Sequence, residues 1–348
     1  MAGPTPPVRT RPTIYDVASE AGVAISTVSR VLNGSDEVSD ATRDRVRAAI
    51  QKLQFRPQRT ARALAQQTTT SVAVALPSAT SLFYVEILKG VKDAMRERDM
   101  DLLLCNLGSS HPTNTLERFL DRGAVDGLLL VSLPVDGPLE AQLRGMQAPV
   151  VLLGSRSPSF DAYWWDDEAG ARTATEHLVG LGHRRIAFVT AQPWGYSSGP
   201  RLEGYRAALG AAGLAYDPDL VASGDTTKHA GYSEEAGAEA MAKLMAAPDP
   251  PTAVFAASDV QAFGAWAWAR DNSIRVPRDV SIVGYDDLKL SRYLDLSTVS
   301  QGMQRAGRQV ADRLLARLDA EADDTADVEL PVELVARGST GPARAEAA

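Results

Sequence analysis

The sequence has one cysteine in 348 residues, so no intrachain disulfide can brace the fold. That residue, Cys105, ends the apolar run Leu102-Leu-Leu-Cys105 with no neighbour to activate its thiol, and it reads as a buried packing residue. The four histidines, His111, His177, His183 and His229, show no metal-ligand spacing, so neither a metal nor another cofactor is expected. No run of roughly 18 apolar residues exists, which excludes a membrane-spanning helix of ordinary length. Residues 1–12 lack the apolar core of a secretory leader and read as a disordered arm, so a cytoplasmic location is expected. No Gly-rich phosphate loop, nucleophile elbow or metal cluster appears, and the chain is not expected to be an enzyme.

What is present is concentrated between Thr13 and Leu64. Thr13 and Asp16 have capping-box spacing, and Ile14, Val17, Ala18 and Ala21 form the apolar face of a first helix. Gly22 permits a sharp turn, because a residue without Cβ tolerates positive φ. A second helix, residues 25–32, turns Val28, Val31 and Leu32 inward and Ile25, Ser26, Ser29 and Arg30 outward. Ser39 is placed to cap a third helix, in which Val46, Ala49, Ile50 and Leu53 recur at helical spacing. Helix, tight turn and a second helix with a hydroxyl- and Arg-bearing outer face make an all-α helix-turn-helix headpiece.

Charge points the same way. Residues 1–70 hold ten Lys and Arg against six Asp and Glu, a balance of +4, whereas the whole chain is −8, leaving −12 for residues 71–348. A basic head suits the phosphate backbone of DNA, and an acidic body suits another task.

These residues resemble the headpiece of LacI–GalR transcriptional regulators. The resemblance is carried by Thr13-Ile-Tyr-Asp-Val-Ala, Ala21-Gly-Val, Thr27-Val-Ser-Arg-Val-Leu-Asn33, Thr42-Arg43, Phe55-Arg-Pro57 and Ala61-Arg-Ala-Leu64, in order. It implies two headpieces on a homodimer, or on a tetramer built of such dimers, reading a pseudo-palindromic operator. Arg30 suits a guanine edge, and Ile25 and Ser26 sit at base-choosing positions. Thr13, Tyr15, Thr27, Ser29, Asn33, Ser39 and Thr42 suit phosphate contacts. Residues 57–68 would form a hinge helix and linker. A segment of about eight helical residues is too short to be stable alone and would form against DNA and its twin. There Ala61 and Leu64 would meet the minor groove, with Leu64 as the kinking wedge. Gln58 stands in place of the usual Asn and caps less well.

From Ser71 onward, short apolar runs alternate with helical stretches. Residues 72–76, 101–107, 126–131 and 150–154 read as strands, as do 185–190, 220–224, 253–257 and 281–285. Continuous apolar strands separated by helices imply parallel sheets covered on both faces, and eight units suit two subdomains better than one. The blocks Val125-Asp-Gly-Leu, Glu176–Ile186, Arg201–Arg206 and Val276–Asp286 resemble the same family's effector domain. That implies an α/β periplasmic-binding-protein-like body of two doubly wound subdomains over residues 71–342, joined to the headpiece of residues 13–56. One subdomain would comprise about 71–157 plus 300–322, and the other 158–297 plus 325–340. This body would carry both effector binding and dimerisation.

Within the implied cleft, Phe83 and Tyr84 offer aromatic faces to a sugar or a base. Arg201 offers a fork of donors, and Asp286 an acceptor beyond a strand end. Asp166 and Ser258 are further candidates, and Trp164, Trp165 and Trp194 are aromatic surfaces without an assigned place. Gly154 and Thr226 depart from sugar-responsive members, which often carry an acid and an aromatic there. His183 reads as structural. The expected function is a ligand-responsive repressor of carbohydrate-use genes; the alternatives are a purine-responsive repressor of the same family and a sugar-binding transport component.

Overall fold

The computed structural model describes residues 12–32, 35, 37–55, 71–98, 100–108, 111–121, 125–193, 197–322 and 324–344. The expected arm and the hinge segment with Ala61 and Leu64 lie outside these residues, as do Asn33 and Trp194. The chain divides into two compact units, Met1–Thr70 and Ser71–Ala348.

The first unit contains α1 (Ile14–Ala21), α2 (Ile25–Leu32) and α3 (Asp40–Leu53). Each helix contributes one wholly buried valine, Val17, Val28 and Val46, and Ala18, Ala21 and Ala49 complete the small core. The capping box forms at α1: the Thr13 N–H donates to Asp16 Oδ2 at 2.7 Å, and Thr13 Oγ1 accepts from the Asp16 N–H at 3.4 Å. Gly22 takes φ 65° and ends α1 with its N–H on the Ala18 and Ser19 carbonyls. Arg43 Nη2 donates to the carbonyls of Ser35 (3.1 Å) and Val38 (3.3 Å), which fixes the entry to α3.

The second unit holds two six-stranded sheets. The first comprises β1 (Ser71–Leu76), β2 (Asp101–Asn106), β3 (Gly127–Val131), β4 (Val150–Leu153), β5 (Asp161–Trp165) and β11 (Asp327–Leu330), ordered β11-β5-β4-β3-β1-β2 with every pairing parallel. The second comprises β6 (Ile186–Val189), β7 (Val221–Ala222), β8 (Ala253–Ala256), β9 (Ser281–Asp286), β10 (Ser297–Ser300) and β12 (Glu333–Val335), ordered β12-β10-β9-β8-β6-β7, with only β12 antiparallel. β3, β4, β6 and β8 are buried along their whole length, as continuous apolar runs require.

Two elements differ from the expected halves. β5, expected in the second, pairs with β4 through Leu152 and Ala162, and β11, also expected there, pairs with β5 through Val328 and Tyr163. The reason is a buried staple: Asp161 accepts from Arg317 Nε (2.8 Å), Arg313 Nη2 (2.9 Å) and the Ala326 N–H (2.7 Å), which anchors the approach to β11 beside β5. Among the described residues the chain therefore passes between the halves three times, at Asp166, at Gln301–Gly302 and at Pro331–Val332.

Besides α5 (Pro112–Leu120), α6 (Gly137–Arg144) and α11 (Lys289–Tyr293), the second unit has helices that pack backbone to backbone in pairs within each half. In the first, α4 (Leu82–Ala94) lies against α12 (Met303–Leu318), and a Cβ on Gly307 would stand 2.1 Å from the Ile87 carbonyl oxygen. In the second, α7 (Asp167–Gly180) lies against α8 (Ser198–Ala211), with Gly204 equally close to the Glu168 carbonyl. A third pair there, α9 (Glu234–Met245) and α10 (Asp259–Asp271), meets through Gly237 and Gly264.

Candidate nucleic-acid interface and effector cavity

On α2, Ile25, Ser26 and Arg30 are exposed, and Ser29 is half-buried on the same helical face. Thr27, one step round, is half-buried. Arg30 Nε lies 3.7 Å from Glu37 Oε2, an exposed pair of small energetic weight that leaves the guanidinium available. Tyr15 on α1 is 68% exposed. Ser39 occupies the N-cap of α3, but its hydroxyl donates to Thr42 Oγ1 at 3.0 Å instead of accepting a backbone N–H, a departure from the expected cap.

In the second unit the C-terminal ends of the strands from both halves meet at a cavity of about 130 Å³. Strand order reverses at β1/β3 in one sheet and at β6/β8 in the other, where adjacent loops diverge and leave a crevice. From the first half come Ser78 and Ser81 after β1, Phe83 and Tyr84 on α4, and Ser132 after β3. From the second come Ser197 and Arg201 near and on α8, His229 and Tyr232 after β7, Ser258 after β8, and Asp286 closing β9. Phe83 packs edge-on to Tyr84, with centroids 5.1 Å apart, and to Trp165 at 6.0 Å.

Arg201 is 4% exposed and heavily tied. Its Nε donates to Asp167 Oδ1 at 2.8 Å, its Nη2 pairs with the same oxygen, its Nη1 donates to the Ala257 carbonyl, and its plane lies 3.7 Å from the Tyr285 ring centroid. Burial opposes the charge, but Asp167 and its neighbours more than offset it and keep the guanidinium ionised. One N–H on each Nη remains for a ligand. Asp286 is 4% exposed with φ 120°, and burial pushes its carboxyl well above the ordinary range against the opposing pull of Arg201. Next to it, burial pushes Asp259 up to about 7 even though Ser291, Thr298 and the Leu288 N–H all donate to it.

Five of the six residues expected to bind an effector, Phe83, Tyr84, Arg201, Ser258 and Asp286, therefore line one cavity. Asp166 does not. It caps α7, accepting the Ala169 N–H at 2.9 Å, and the inward acid is its neighbour Asp167. Trp164 lies outside the cavity too, with Nε1 on Asp327 Oδ1 and Arg156 over its ring. Sequence reasoning missed Ser78, Ser81, Ser132, Ser197, His229 and Tyr232, whose positions carry no periodic signal. His183 is buried among Thr252, Ser281 and the Gly341 carbonyl, a structural role. A larger depression of about 430 Å³ opens around Glu86, Lys289, Arg305 and Glu333, sharing Asp286 but without an aromatic wall.

Comparison with known proteins adds the following. A family described as "Bacterial regulatory proteins, lacI family" matches residues 13–58, and one described as "Periplasmic binding protein-like domain" matches residues 175–340. The HTH-type transcriptional regulator CelR of Thermobifida fusca is 36% identical over 95% of this chain and 99% of its own length. Catabolite control protein A of Priestia megaterium is 34% identical over 94% and 99%. Among solved structures, a transcriptional regulator CelR–cellobiose complex aligns with TM-score 0.67 and 36% identity over 94% of this chain and 100% of that one. A lac repressor dimer bound to operator and the anti-inducer ONPF aligns with TM-score 0.72 and 29% identity over 95% and 100%.

Proposed function

The chain belongs to the LacI family of bacterial regulatory proteins, and on that premise we propose that its cavity takes a neutral sugar and its headpiece reads an operator of carbohydrate-use genes. It is a ligand-responsive, DNA-binding transcriptional regulator that acts as a homodimer on double-stranded DNA. It acts in the cytoplasm and binds its ligand without converting it. Arg30, Ile25 and Ser26 choose bases, while Thr13, Tyr15, Thr27, Ser29, Asn33, Ser39 and Thr42 hold phosphates. Residues 57–68 form the hinge, with Ala61 and Leu64 in the minor groove, and link the cavity to DNA affinity.

The observation that carries the sugar reading is the joint lining of one cavity by Phe83, Tyr84, Arg201 and Asp286. The rings suit the apolar C–H face of a pyranose, and the guanidinium and carboxyl suit its hydroxyls. A phosphate would meet one guanidinium already paired with Asp167. Cellobiose in the complex of a 36% identical regulator supports the same class. Calorimetry of the full chain with glucose, galactose, cellobiose, maltose, glucose 6-phosphate and hypoxanthine tests it. Binding of a neutral sugar, with an altered shift of the promoter fragment against unrelated competitor DNA, is the expected result. Tight binding of only the phosphate or the purine overturns it.

A further inference from the structure

Thr226 follows Gly224-Asp225, where sugar-responsive members often carry an aromatic, and its hydroxyl serves the turn by accepting the Lys228 N–H at 3.2 Å. The flat ring at this edge of the cavity comes three residues later, from His229. Its placement depends on an uncommon backbone: His229 and Ala230 take φ 51° and 57°, two successive left-handed residues, neither of them glycine. The turn is pinned on several sides. The Ala230 N–H donates to the Thr227 carbonyl (3.0 Å), the Ala230 carbonyl accepts the Gln192 N–H (2.9 Å), and Gln261 Nε2 donates to the Gly231 carbonyl (3.0 Å). Strain held by this many bonds indicates that the position of the imidazole matters.

That imidazole reaches across the cleft. Its Nδ1 lies 2.9 Å from Ser78 Oγ, on the loop leaving β1 in the opposite half, and its Nε2 has no hydrogen-bond partner among the described residues. The space beside it is about 130 Å³, below the ~300–1,000 Å³ usual for small-molecule sites, so a sugar needs the two halves to stand further apart than they do here.

We propose that His229 is a specificity-determining clamp of the effector cavity: through Ser78 it ties the two halves over the ligand, and its free Nε2 takes a hydrogen bond with a ligand hydroxyl. This deepens the sugar reading and rests on it. A neutral imidazole has one donor and one acceptor nitrogen, so with Nδ1 engaged by a serine hydroxyl, Nε2 takes the complementary role. A sugar hydroxyl fills either role, whereas a carboxylate or phosphate only accepts. Burial, and then the adjacent Lys228, depress the pKa of the ring against the pull of Glu234 and Glu235, which favours its neutral form.

The test uses the full chain and the tightest-binding sugar among glucose, galactose, cellobiose and maltose. Calorimetry is run on the parent, His229→Ala, His229→Gln, Ser78→Ala and the His229→Ala/Ser78→Ala double variant. His229→Ala should weaken binding at least tenfold, and Gln, which keeps a donor and an acceptor, should restore part of it. Ser78→Ala should cost less in the double variant than alone, because the two residues act as one unit. Amide hydrogen exchange gives a sugar-free readout: in both single alanine variants, residues 77–84 and 227–232 should exchange faster together. Parent-like affinity of His229→Ala, or fully additive losses, overturns the proposal. If the parent binds none of these sugars, the sugar reading fails, and exchange alone judges the clamp: unchanged protection of residues 77–84 in both variants overturns it.

Discussion

Replacing Arg201 with methionine keeps the buried stem but removes every donor of the guanidinium. Asp167, whose side chain is 14% exposed, then loses its ion pair, the Ala257 carbonyl loses its donor, and Tyr285 loses the cation above its ring. Breaking a buried pair by deleting one partner costs about 3–5 kcal/mol, and a desolvated cation–π contact adds up to about 2. Two effects work the other way. Methionine fills the space with apolar atoms, and Asp167 opens α7, where the helix dipole favours a carboxylate. The net loss should be about 3 kcal/mol, roughly a hundredfold in the folding equilibrium. With a urea slope of about 3 kcal/mol/M, the midpoint should fall by about 1 M at unchanged slope. Adding Asp167→Asn should recover about half, because the orphaned charge disappears. Sugar affinity should stay lost in both variants, since the fork is gone. A midpoint for Arg201→Met within about 0.2 M of the parent, or no recovery in the double variant, would refute the view that Asp167 and Arg201 act as one buried unit.

Three further outcomes follow from the geometry. Gly307→Ala puts a methyl 2.1 Å from the Ile87 carbonyl where ordinary contact is about 3.5 Å, so overpacking at the upper end of ~1–3 kcal/mol should outweigh the ~1 kcal/mol gain in helix propensity; equal or higher stability in urea melts contradicts this. Arg30→Ala should weaken operator binding by about 1–3 kcal/mol and random-DNA binding far less, and equal losses in a shift assay would reassign Arg30 to phosphate. Burial alone would raise the pKa of Asp161, but Arg317, Arg313 and the Ala326 N–H bring it below 3.8. Its stabilisation is therefore complete above that value and lost as pH falls below it. Asp161→Asn should flatten the acid limb of urea midpoints measured from pH 5 to 2.5, and an unchanged limb would show that other groups set it.

Much of this fold is legible where the cause is local. The Thr13–Asp16 box, the Gly22 turn and the inward valines of the headpiece follow from spacings of three and four residues. The apolar strands β3, β4, β6 and β8 are equally plain. β10 is not: Ser297-Thr-Val-Ser300 looks like a loop, yet Ser297 and Thr298 are wholly buried, satisfied by the Arg337 carbonyl and Asp259. The place of β11 beside β5 depends on a staple between residues more than 150 positions apart. Within the cavity, Phe83, Tyr84, Arg201 and Asp286 stood out by position, whereas Asp166 and Asp167 differ by one step of a helix, and one step decides which caps and which turns inward. No glycine marks His229 and Ala230 as left-handed, so nothing local indicated that this ring reaches the cleft.

The three crossings have a mechanical consequence. Each is one or two residues long, and Trp165 at the end of the first donates its indole N–H to the Gln301 carbonyl of the second at 2.8 Å. Three such tethers, two of them cross-linked, resist sliding of the halves past one another and their separation along the strand axes. What remains soft is an angle. The glycine-packed helix pairs resist taking up that rotation within either half, so a change at the cavity acts along a single coordinate. A small rotation at the tethers becomes a larger displacement at whatever part of either half lies farthest from them, as at the free end of a lever.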